Sequence, residues 1–476
     1  MCLSLVSLDD DTLLGVFSAL TVPDVLNLRQ TCRRLLVFSS QQIVWQNIAS
    51  SQILQQGIPF SKKPLSSFSV RDLEDRVRRA YHLGKAWKAP SITFRASGFA
   101  ASRGGPIQDI YFIPGYDRRW LITVSQGIWS MITLWDRRNL ARVTSWSPQK
   151  AVFSALAVNA SEDCEAALAV SLHRYDSVVV EILAITSTAP DSPPGFECIA
   201  RLDTLRQPIA MCGSLLALAD DESETIIWNW KTQEYAILQS PVDTDLWRNK
   251  CTQVVFAYKT ILVVRARSVH AFADPKLAPY PNTCVHHPYA QNTFGWVDGI
   301  SVSVPPSLPE DPTGMEGQPL SVLVRTKNDD PWSSTFKMQL WTLSPMTSSH
   351  ETVDDGPYYK FPPSMTTEIV TPRRGALRCT DMVLGPYGTA VWVQPEDYSV
   401  AGLISSNVHL QNMPVPQSHE TLVAAAFPGL LNTQDESQVK SSWKNHGKDW
   451  TCLDYDEERG CVALGSAAGA VTILDI

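Results

Sequence analysis

Residues 131–136 read MITLWD, a short β-rich run that ends in an aromatic residue and a polar turn. Four later segments repeat this pattern: 225–229 (TIIWN), 268–272 (SVHAF), 337–341 (KMQLW) and 470–475 (AVTILD). Trp135 and Trp228 are 93 residues apart, and Trp228 and Phe272 are 44 residues apart. These distances fit two units and one unit of the ~40 to 45 residues that make one blade of a β-propeller. The chain is therefore expected to contain a series of repeated sheet units.

The repeated segments resemble degenerate WD repeats, although Trp135 and Asp136 form the only literal Trp-Asp pair at the family position and the usual Gly-His is absent. The resemblance implies a seven-bladed β-propeller over residues 91–476. Its seven units are expected to begin near Pro106, Ala151, Pro208, Thr252, Gly295, Leu377 and Trp450. Residues 91–95 (SITFR) carry a lone strand signal, and in a ring this strand is expected to form the outer strand of the last blade. Such closure removes an exposed sheet edge.

Upstream of the repeats, residues 8–45 read LDDDTLLGVFSALTVPDVLNLRQTCRRLLVFSSQQIVW and carry helical periodicity. Three aspartates at positions 9–11 place negative charge where a first helix begins. Thr21 is expected to cap a second helix with Pro23 in its first turn, and Ser39 and Ser40 are expected to cap a third. Three such short helices have more apolar surface than they can bury alone, so part of it is expected to contact a partner chain.

This segment resembles the F-box, the motif that docks a substrate receptor onto the Skp-family adaptor of cullin-RING ubiquitin ligases. The resemblance covers about forty residues and implies that the following side chains bind the adaptor: Leu8, Leu13, Val16, Phe17, Leu20, Pro23, Leu28, Cys32, Leu35 and Trp45. Asp9 stands where the family has proline, and Asp11 shortens the family's glutamate. Both departures are expected to weaken the helix start. The alternative is an ordinary three-helix cap that packs on its own domain.

Residues 51–90 are expected to link the F-box, residues 1–50, to the propeller. Ser69 followed by Asp72 has the form of a capping box and predicts a helix over about 71–83. Acidic residues one turn before basic residues are expected to stiffen this helix. The arginines at 76, 78 and 79 are interpreted as its solvated face, in preference to a nucleic-acid patch or a localisation signal. The whole chain is therefore predicted to combine α and all-β domains.

Charge and composition narrow the function classes. Residues 1–90 carry a net charge of +4 and the other residues carry −12, which argues against nucleic acid or an anionic membrane as the principal ligand. No apolar run reaches the length of a transmembrane helix, and aspartates occupy the place of an apolar signal core. The ten cysteines include no C-x-x-C pair and are expected to be reduced. These features predict a location in the cytoplasm, the nucleus or both.

Motifs for catalysis are missing from the sequence. No zinc-protease signature, phosphate loop, dinucleotide fingerprint or nucleophile elbow occurs, so no catalytic residue and no cofactor is predicted. His286 and His287 are adjacent, and in extended chain they point to opposite faces and cannot easily share a metal ion. The sequence therefore predicts neither an enzyme nor a metal site.

The leading hypothesis is a substrate-recognition subunit of a Skp-cullin-F-box type E3 ubiquitin ligase, in which the propeller binds an unidentified protein target. The alternative is a propeller scaffold of an assembly unrelated to ubiquitin, with the helices as a cap, and a propeller enzyme is the weakest hypothesis. Some F-box propellers recognise phosphorylated segments through clustered arginines. The candidates here are Arg118, Arg119, Arg137, Arg138, Arg265, Arg267, Arg373 and Arg374, although the acidic balance of this region disfavours a phosphate pocket.

Overall fold

The structure is a computed structural model. It describes residues 5–102, 105–148, 150–174, 177–186, 194–242, 249–279, 281–282, 284–295, 297–306, 318–326, 335–346, 358–372, 378–395, 420–445 and 450–476. Within these residues, seven antiparallel sheets follow one another along the chain, and a group of helices precedes them. This arrangement confirms the predicted seven-bladed β-propeller.

The strand β1, Arg95–Ala100, precedes the first complete blade. Blade 1 contains β2 Ile107–Phe112, β3 Trp120–Gln126, β4 Ser130–Asp136 and β5 Ala141–Trp146, and blade 2 contains β6 Val152–Val158, β7 Ala166–Arg174, β8 Ser177–Thr186 and β9 Gly195–Asp203. Blade 3 contains β10 Gln207–Cys212, β11 Leu215–Ala219, β12 Glu224–Asn229 and β13 Glu234–Gln239. The first three strands of blade 4 are β14 Cys251–Ala257, β15 Thr260–Arg265 and β16 Ser268–Ala273. A short strand β17, Val285–His286, adds to blade 3 parallel to β13, and β18, Ala290–Thr293, completes blade 4.

Blade 5 contains β19 Val297–Ser303, β20 Leu320–Thr326, β21 Thr335–Leu343 and β22 Ser364–Pro372. Blade 6 contains β23 Met382–Leu384, β24 Thr389–Pro395, β25 Glu420–Ala426 and β26 Gln438–Lys444. The first three strands of blade 7 are β27 Trp450–Asp456, β28 Cys461–Ser466 and β29 Ala470–Asp475. The innermost strands begin within a few residues of the predicted unit starts. The predicted start of the sixth unit, Leu377, lies outside the described residues.

The core of the propeller lies between neighbouring blades. Each of six apolar clusters fills one gap, such as the cluster of Ile122 and Leu134 from blade 1 with Leu168 and Leu183 from blade 2. Inner strands such as β3 and β28 are buried on both faces by their neighbours, so their sequences are apolar almost continuously and lack strict alternation. Outer strands such as β9 are more exposed. Each blade therefore depends on the next for its burial.

Side-chain hydrogen bonds tie adjacent innermost strands together around half of the ring. Each uses a polar side chain of one blade and a backbone group of the next. They are Val302 N to Gln253 Oε1 (2.8 Å), Leu384 N to Ser301 Oγ (3.2 Å), Leu453 N to Asp381 Oδ2 (3.0 Å) and Phe112 N to Asp454 Oδ2 (2.7 Å). The last of these bonds joins blade 7 to blade 1.

The last blade takes its fourth strand from the start of the propeller sequence. β1 pairs antiparallel with β29 from Arg95 opposite Asp475 to Ala100 opposite Ala470. This strand begins where the predicted segment 91–95 ends. Of the predicted segment, only Arg95 belongs to the strand. The Ile92 backbone N–H donates instead to the Lys440 carbonyl on blade 6 (3.0 Å).

Four helices, not three, occupy the N-terminal segment: α1 Asp10–Ala19, α2 Val22–Arg29, α3 Arg33–Ser39 and α4 Gln42–Ile48. The predicted second helix is split because the Thr31 backbone N–H and hydroxyl both donate to the Leu28 carbonyl (3.0 and 2.7 Å). Cys32 is then extended and precedes α3. Ser39 closes α3 and does not cap α4.

The helix start at α1 is stronger than the comparison with the F-box pattern predicts. Asp9 is the N-cap residue, and its carboxylate accepts hydrogen bonds from the Thr12 backbone N–H (2.8 Å) and hydroxyl (3.0 Å). These bonds lower the pKa of Asp9. Aspartate is among the favoured N-cap residues, so the departure from proline supplies a cap here.

The helix of the linker segment, α5, spans Val70–Lys88 and is longer than the predicted range of about 71–83. Ser69 caps it as predicted, since its hydroxyl accepts from the Asp72 backbone N–H (3.2 Å). Gly84 lies inside the helix. Its lack of a side chain lets Ile58 pack against the helix backbone, because a Cβ atom at this position would lie only 2.4 Å from Ile58 Cδ1. A π-helix at Ala49–Leu54 and a 3-10 helix at Leu65–Ser67 precede α5.

The helices and the propeller share one hydrophobic cluster. Buried side chains of α1 to α5, such as Phe17 and Val77, belong to the same cluster as Val391, Trp450 and Val462 from blades 6 and 7. This is the only one of the seven blade gaps, within the described residues, whose cluster continues into the helices. The helical module is therefore seated on the propeller.

Candidate docking surfaces

The centre of the helical module is an aromatic core. Phe17 and Phe38 pack with their ring centroids 5.3 Å apart, and Trp45 is fully buried. The Trp45 indole N–H donates to the Ser39 carbonyl (2.8 Å), so its polar atom is satisfied inside the core. These residues pack α1, α3 and α4 against one another.

The structure divides the ten predicted adaptor-binding residues into three groups. Leu13, Phe17, Leu35 and Trp45 are buried in the helical core. Leu8, Val16, Leu20, Leu28 and Cys32 are partly buried, and Pro23 is exposed. Residues of the last two groups are accessible for direct contact with another protein. The buried residues of the first group stabilise the helices that carry the accessible ones.

Sequence reasoning missed an exposed apolar patch on α3 and α4. Leu36, Val37 and Ile43 are exposed, and 61% of the Val37 surface is accessible. We call these three residues the α3–α4 patch. Their exposure could not be read from the sequence, because the break at Cys32 changes the helical phase of the residues that follow and periodicity does not indicate that break. Exposed apolar clusters on a folded protein commonly mark interaction sites.

One arginine joins several of the helices. The Arg29 guanidinium makes a two-point ion pair with Glu74 of α5 (2.7 and 2.9 Å). It also donates to the Ser39 hydroxyl (3.0 Å) and carbonyl (3.2 Å), and it lies 5.7 Å from the Trp45 ring. α2, α3, α4 and α5 are therefore joined through a single side chain.

The helical module occupies one face of the propeller. Consecutive strands of a blade are antiparallel, so loops between first and second strands and between third and fourth strands share a face. The module contacts loops of this kind: the Tyr387 hydroxyl donates to the Phe60 carbonyl (2.9 Å), and Leu83 packs against the Gly460 turn. Burial raises the pKa of Tyr387, as expected for an enclosed hydroxyl.

The opposite face of the propeller, which we call the distal face, carries the other loops. Ile128 lies between β3 and β4, Leu205 between β9 and β10, and Val242 between β13 and β14. All three are well exposed, and Ile128 is 85% accessible. A protein target could reach these loops without contact with the helices.

Three carboxyl groups lie on or beside innermost strands near the centre of the ring. Burial raises the pKa of Asp109 and of Asp454 to about 6, and it raises the pKa of Asp381 as well. Among the described residues, no group of three or more His, Cys, Asp or Glu side chains is arranged to hold a metal ion. Asp381 and Asp454 are instead committed to the backbone bonds that link the blades.

The arginines that were candidates for phosphate recognition do not form one cluster. Arg118, Arg119 and Arg137 belong to blade 1 on the helix-bearing face and pair with acidic side chains. Arg265 is buried and donates to the Asn249 carbonyl (2.9 Å). Arg138 and Arg267 lie in turns of blades 1 and 4, and Arg373 and Arg374 lie outside the described residues.

No protein-family model matches the chain. No curated protein matches it either. The crystal structure of the Cps50 (Swd1) β-propeller domain from Myceliophteria thermophila is similar to this chain at 7% sequence identity, with a TM-score of 0.48, over 80% of this chain and 100% of that one. The assignment of seven blades rests on the strand pairing described above. In the part of the chain that the structure describes, no helix has the length and apolar character needed to cross a membrane.

Proposed function

We propose that this chain is the substrate-recognition subunit of a Skp-cullin-F-box type E3 ubiquitin ligase. The helical module binds the Skp-family adaptor and, through it, a cullin, while the distal face of the propeller binds a protein target. The chain supplies no chemistry of its own and acts in the cytoplasm, the nucleus or both. Tethering raises the effective concentration of target lysines near the ubiquitin-charged enzyme.

The observation that carries this proposal is the α3–α4 patch on a firmly seated module. Leu36, Val37 and Ile43 leave an apolar surface that no described residue of this chain covers fully. Arg33 and Arg34 begin the same helix, and the Arg34 guanidinium holds the Leu8 carbonyl (2.7 Å). An adaptor bound there would sit on the helix-bearing face and leave the distal face open.

Adaptor binding is tested by co-purification of the full chain with a Skp-family adaptor. The double substitution Val37→Asp and Ile43→Asp is expected to weaken binding by at least about tenfold, because it places charge in an apolar contact. Both side chains are exposed, so the melting temperature of the variant should stay close to that of the original chain. Substitution of the buried Phe17 would unfold the helices and would not separate folding from binding.

The matched control is Ile128→Asp, which places the same charge on an exposed apolar residue of the distal face. This variant is expected to bind the adaptor normally. Failure of the original chain to bind any Skp-family adaptor contradicts the proposal, and so does equal binding by the double variant.

The second candidate function is a scaffold in an assembly unrelated to ubiquitin. The observation that favours it is the continuous cluster of Phe17, Val77 and Trp450, since a structural cap would pack on the propeller in this way. Proximity labelling in cells separates the two functions. Labelled cullin and adaptor support the ligase subunit, whereas labelled partners of another assembly and no adaptor support the scaffold.

A further inference from the structure

Blade 3 carries an exposed apolar surface on the distal face, which adaptor binding does not use. Leu205 lies between β9 and β10 and is 83% exposed, and Val242 follows β13 and is 68% exposed. The turn of residues 220–223, which joins β11 to β12, belongs to the same face and contains Asp221 and Glu222. We call Leu205, Asp221, Glu222 and Val242 the blade 3 patch.

Hydrogen bonds join these three loops into one surface. The Arg206 guanidinium, one residue after Leu205, donates to the carboxylate of Glu224, the residue that follows the turn. On the other side of the turn, the Ser240 backbone N–H donates to the Ser223 carbonyl (2.8 Å). The turn is therefore bonded both to the loop that carries the exposed leucine and to the loop that carries the exposed valine.

The loops have a defined shape without any partner. The Thr204 hydroxyl accepts from the Arg206 backbone N–H (3.2 Å) within the short connection from β9 to β10. The Asp220 carboxylate accepts from the backbone N–H groups of Glu222 (3.0 Å) and Glu224 (2.8 Å). A binding surface that is ordered in advance loses less conformational entropy when a partner binds.

The blade 3 patch keeps negative charge that its surroundings do not neutralise. Within the described residues, no ion pair involves the Asp221 or Glu222 carboxylate. The buried Arg265 lies beneath the turn and pairs with Asp220 (3.6 Å). Lys250 is the exposed basic side chain at the edge of this surface, just before β14. The excess of acid agrees with the net charge of −12 over residues 91–476.

We propose that the blade 3 patch binds a basic, apolar segment of the protein target. Aliphatic or aromatic side chains of the segment pack on Leu205 and Val242, where the burial of exposed apolar surface supplies affinity. Lysine or arginine side chains lie against Asp221 and Glu222, and this complementary charge excludes acidic and phosphorylated segments. The inference rests on the proposed function, because it names the class of target that the distal face binds.

Selection of short random peptides, displayed on phage, against the full chain tests this inference. The enriched peptides are expected to combine a net positive charge with several apolar side chains. The most enriched peptide is then synthesised, and fluorescence anisotropy measures its affinity for each variant. The double substitution Leu205→Ser and Val242→Ser should weaken binding by at least about tenfold. Glu222→Lys should weaken it severalfold, because attraction becomes repulsion.

The matched control is Val370→Ser on β22 of blade 5, since this valine is exposed to a similar extent (61%) and lies outside blade 3. It should bind the peptide within about twofold of the original chain. All the substituted side chains are exposed, so the melting temperatures should stay close to that of the original chain. Enrichment of acidic peptides, absence of enrichment, or equal binding by the double variant and the control overturns the inference.

This inference and the proposed function can fail separately. Adaptor binding uses the opposite face, so the Leu205→Ser and Val242→Ser variant should bind the adaptor normally. Selection of basic, apolar peptides by a chain that binds no adaptor contradicts the proposed function alone. Analytical ultracentrifugation tests the remaining occupant: a dimer of the original chain that the double variant does not form assigns the patch to a second copy of this chain and overturns the inference.

Discussion

Arg29 connects several helices of the helical module. Its guanidinium satisfies both carboxylate oxygens of Glu74 and two groups of Ser39, and each partner belongs to a different helix from Arg29. The side chains of Arg29 and Glu74 are less than one fifth exposed, so water screens their attraction only in part. A planar, five-donor group is needed for such an arrangement, and lysine could not replace it.

Arg29→Gln is predicted to lower the free energy of unfolding by about 1.5 to 3 kcal/mol, the usual range for hydrogen bonds to charged groups. Arg78 offers a comparison on the same carboxylate, since its exposed guanidinium lies 3.7 Å from Glu74. Arg78→Gln should cost only about 0.3 to 0.5 kcal/mol. Denaturant unfolding measures both variants. Equal losses of unfolding free energy would show that the two-point ion pair of Arg29 stabilises the fold no more than the single contact of Arg78.

Glu457 gives the propeller a defined response to pH. Its buried carboxyl group accepts from the Tyr387 N–H (2.9 Å), the Thr389 N–H (3.1 Å) and the Thr389 hydroxyl (2.6 Å), yet burial raises its pKa to about 7. The folded chain therefore keeps a proton on Glu457 at pH values where the unfolded chain, with an ordinary pKa of about 4.3, has released it. Stability gained from this proton is present at acidic pH and is lost as the pH rises through about 7.

The stability difference between the original chain and Glu457→Gln should therefore depend on pH. The variant cannot ionise at this position, so its melting temperature should fall less between about pH 5.5 and pH 8 than that of the original chain. The original chain should accordingly have the larger advantage at the acidic end. Differential scanning calorimetry across this range provides the test. Melting temperatures that fall in parallel would mean that Glu457 does not titrate between these pH values.

At the scale of elements, strand order was easier to predict than helix boundaries. The repeat spacing from Trp135 to Trp228 and Phe272 predicted repeated sheet units, because each blade needs its neighbours and so repeats the same apolar strands. The count of seven units, made from the resemblance to WD repeats, is confirmed by the seven sheets. The break at Cys32 was not predictable from periodicity, since its cause is the local bonding of Thr31 to Leu28. The α3–α4 patch was missed for the same reason.

β1 is the element whose contribution can be isolated. Its outer edge is exposed, but Phe99 packs on Trp135 of blade 1 with ring centroids 4.6 Å apart. Replacement of Arg95–Ala100 by six Gly and Ser residues keeps the chain length and removes this contact and most strand propensity. We predict a melting temperature lower by several degrees, since β29 would become an exposed edge.

The matched control for this replacement is Ser97→Thr, an exposed substitution on the same strand. It should change the free energy of unfolding by no more than about 0.5 kcal/mol. An unchanged melting temperature after the Gly and Ser replacement would mean that blade 7 is stable with three strands.

The helices and the propeller share one hydrophobic cluster, and the propeller has two separate faces. The helical module packs on the hydrophobic cluster between blades 6 and 7. Its position relative to the propeller is therefore fixed by buried side chains such as Trp87 and Trp450. A receptor built in this way would hold its adaptor and its target at a constant separation. The distal loops that carry Ile128 and Leu205 remain available for that target.

Amide hydrogen exchange of the full chain, with and without a Skp-family adaptor, tests the central proposal most directly. We predict slower exchange over residues 33–48, which contain α3 and α4, and unchanged exchange in the distal loops around Ile128 and Leu205. The Val37→Asp and Ile43→Asp variant should show no protection. Unchanged exchange over residues 33–48 with saturating adaptor, or protection confined to the distal loops, would contradict the proposed docking of the helical module.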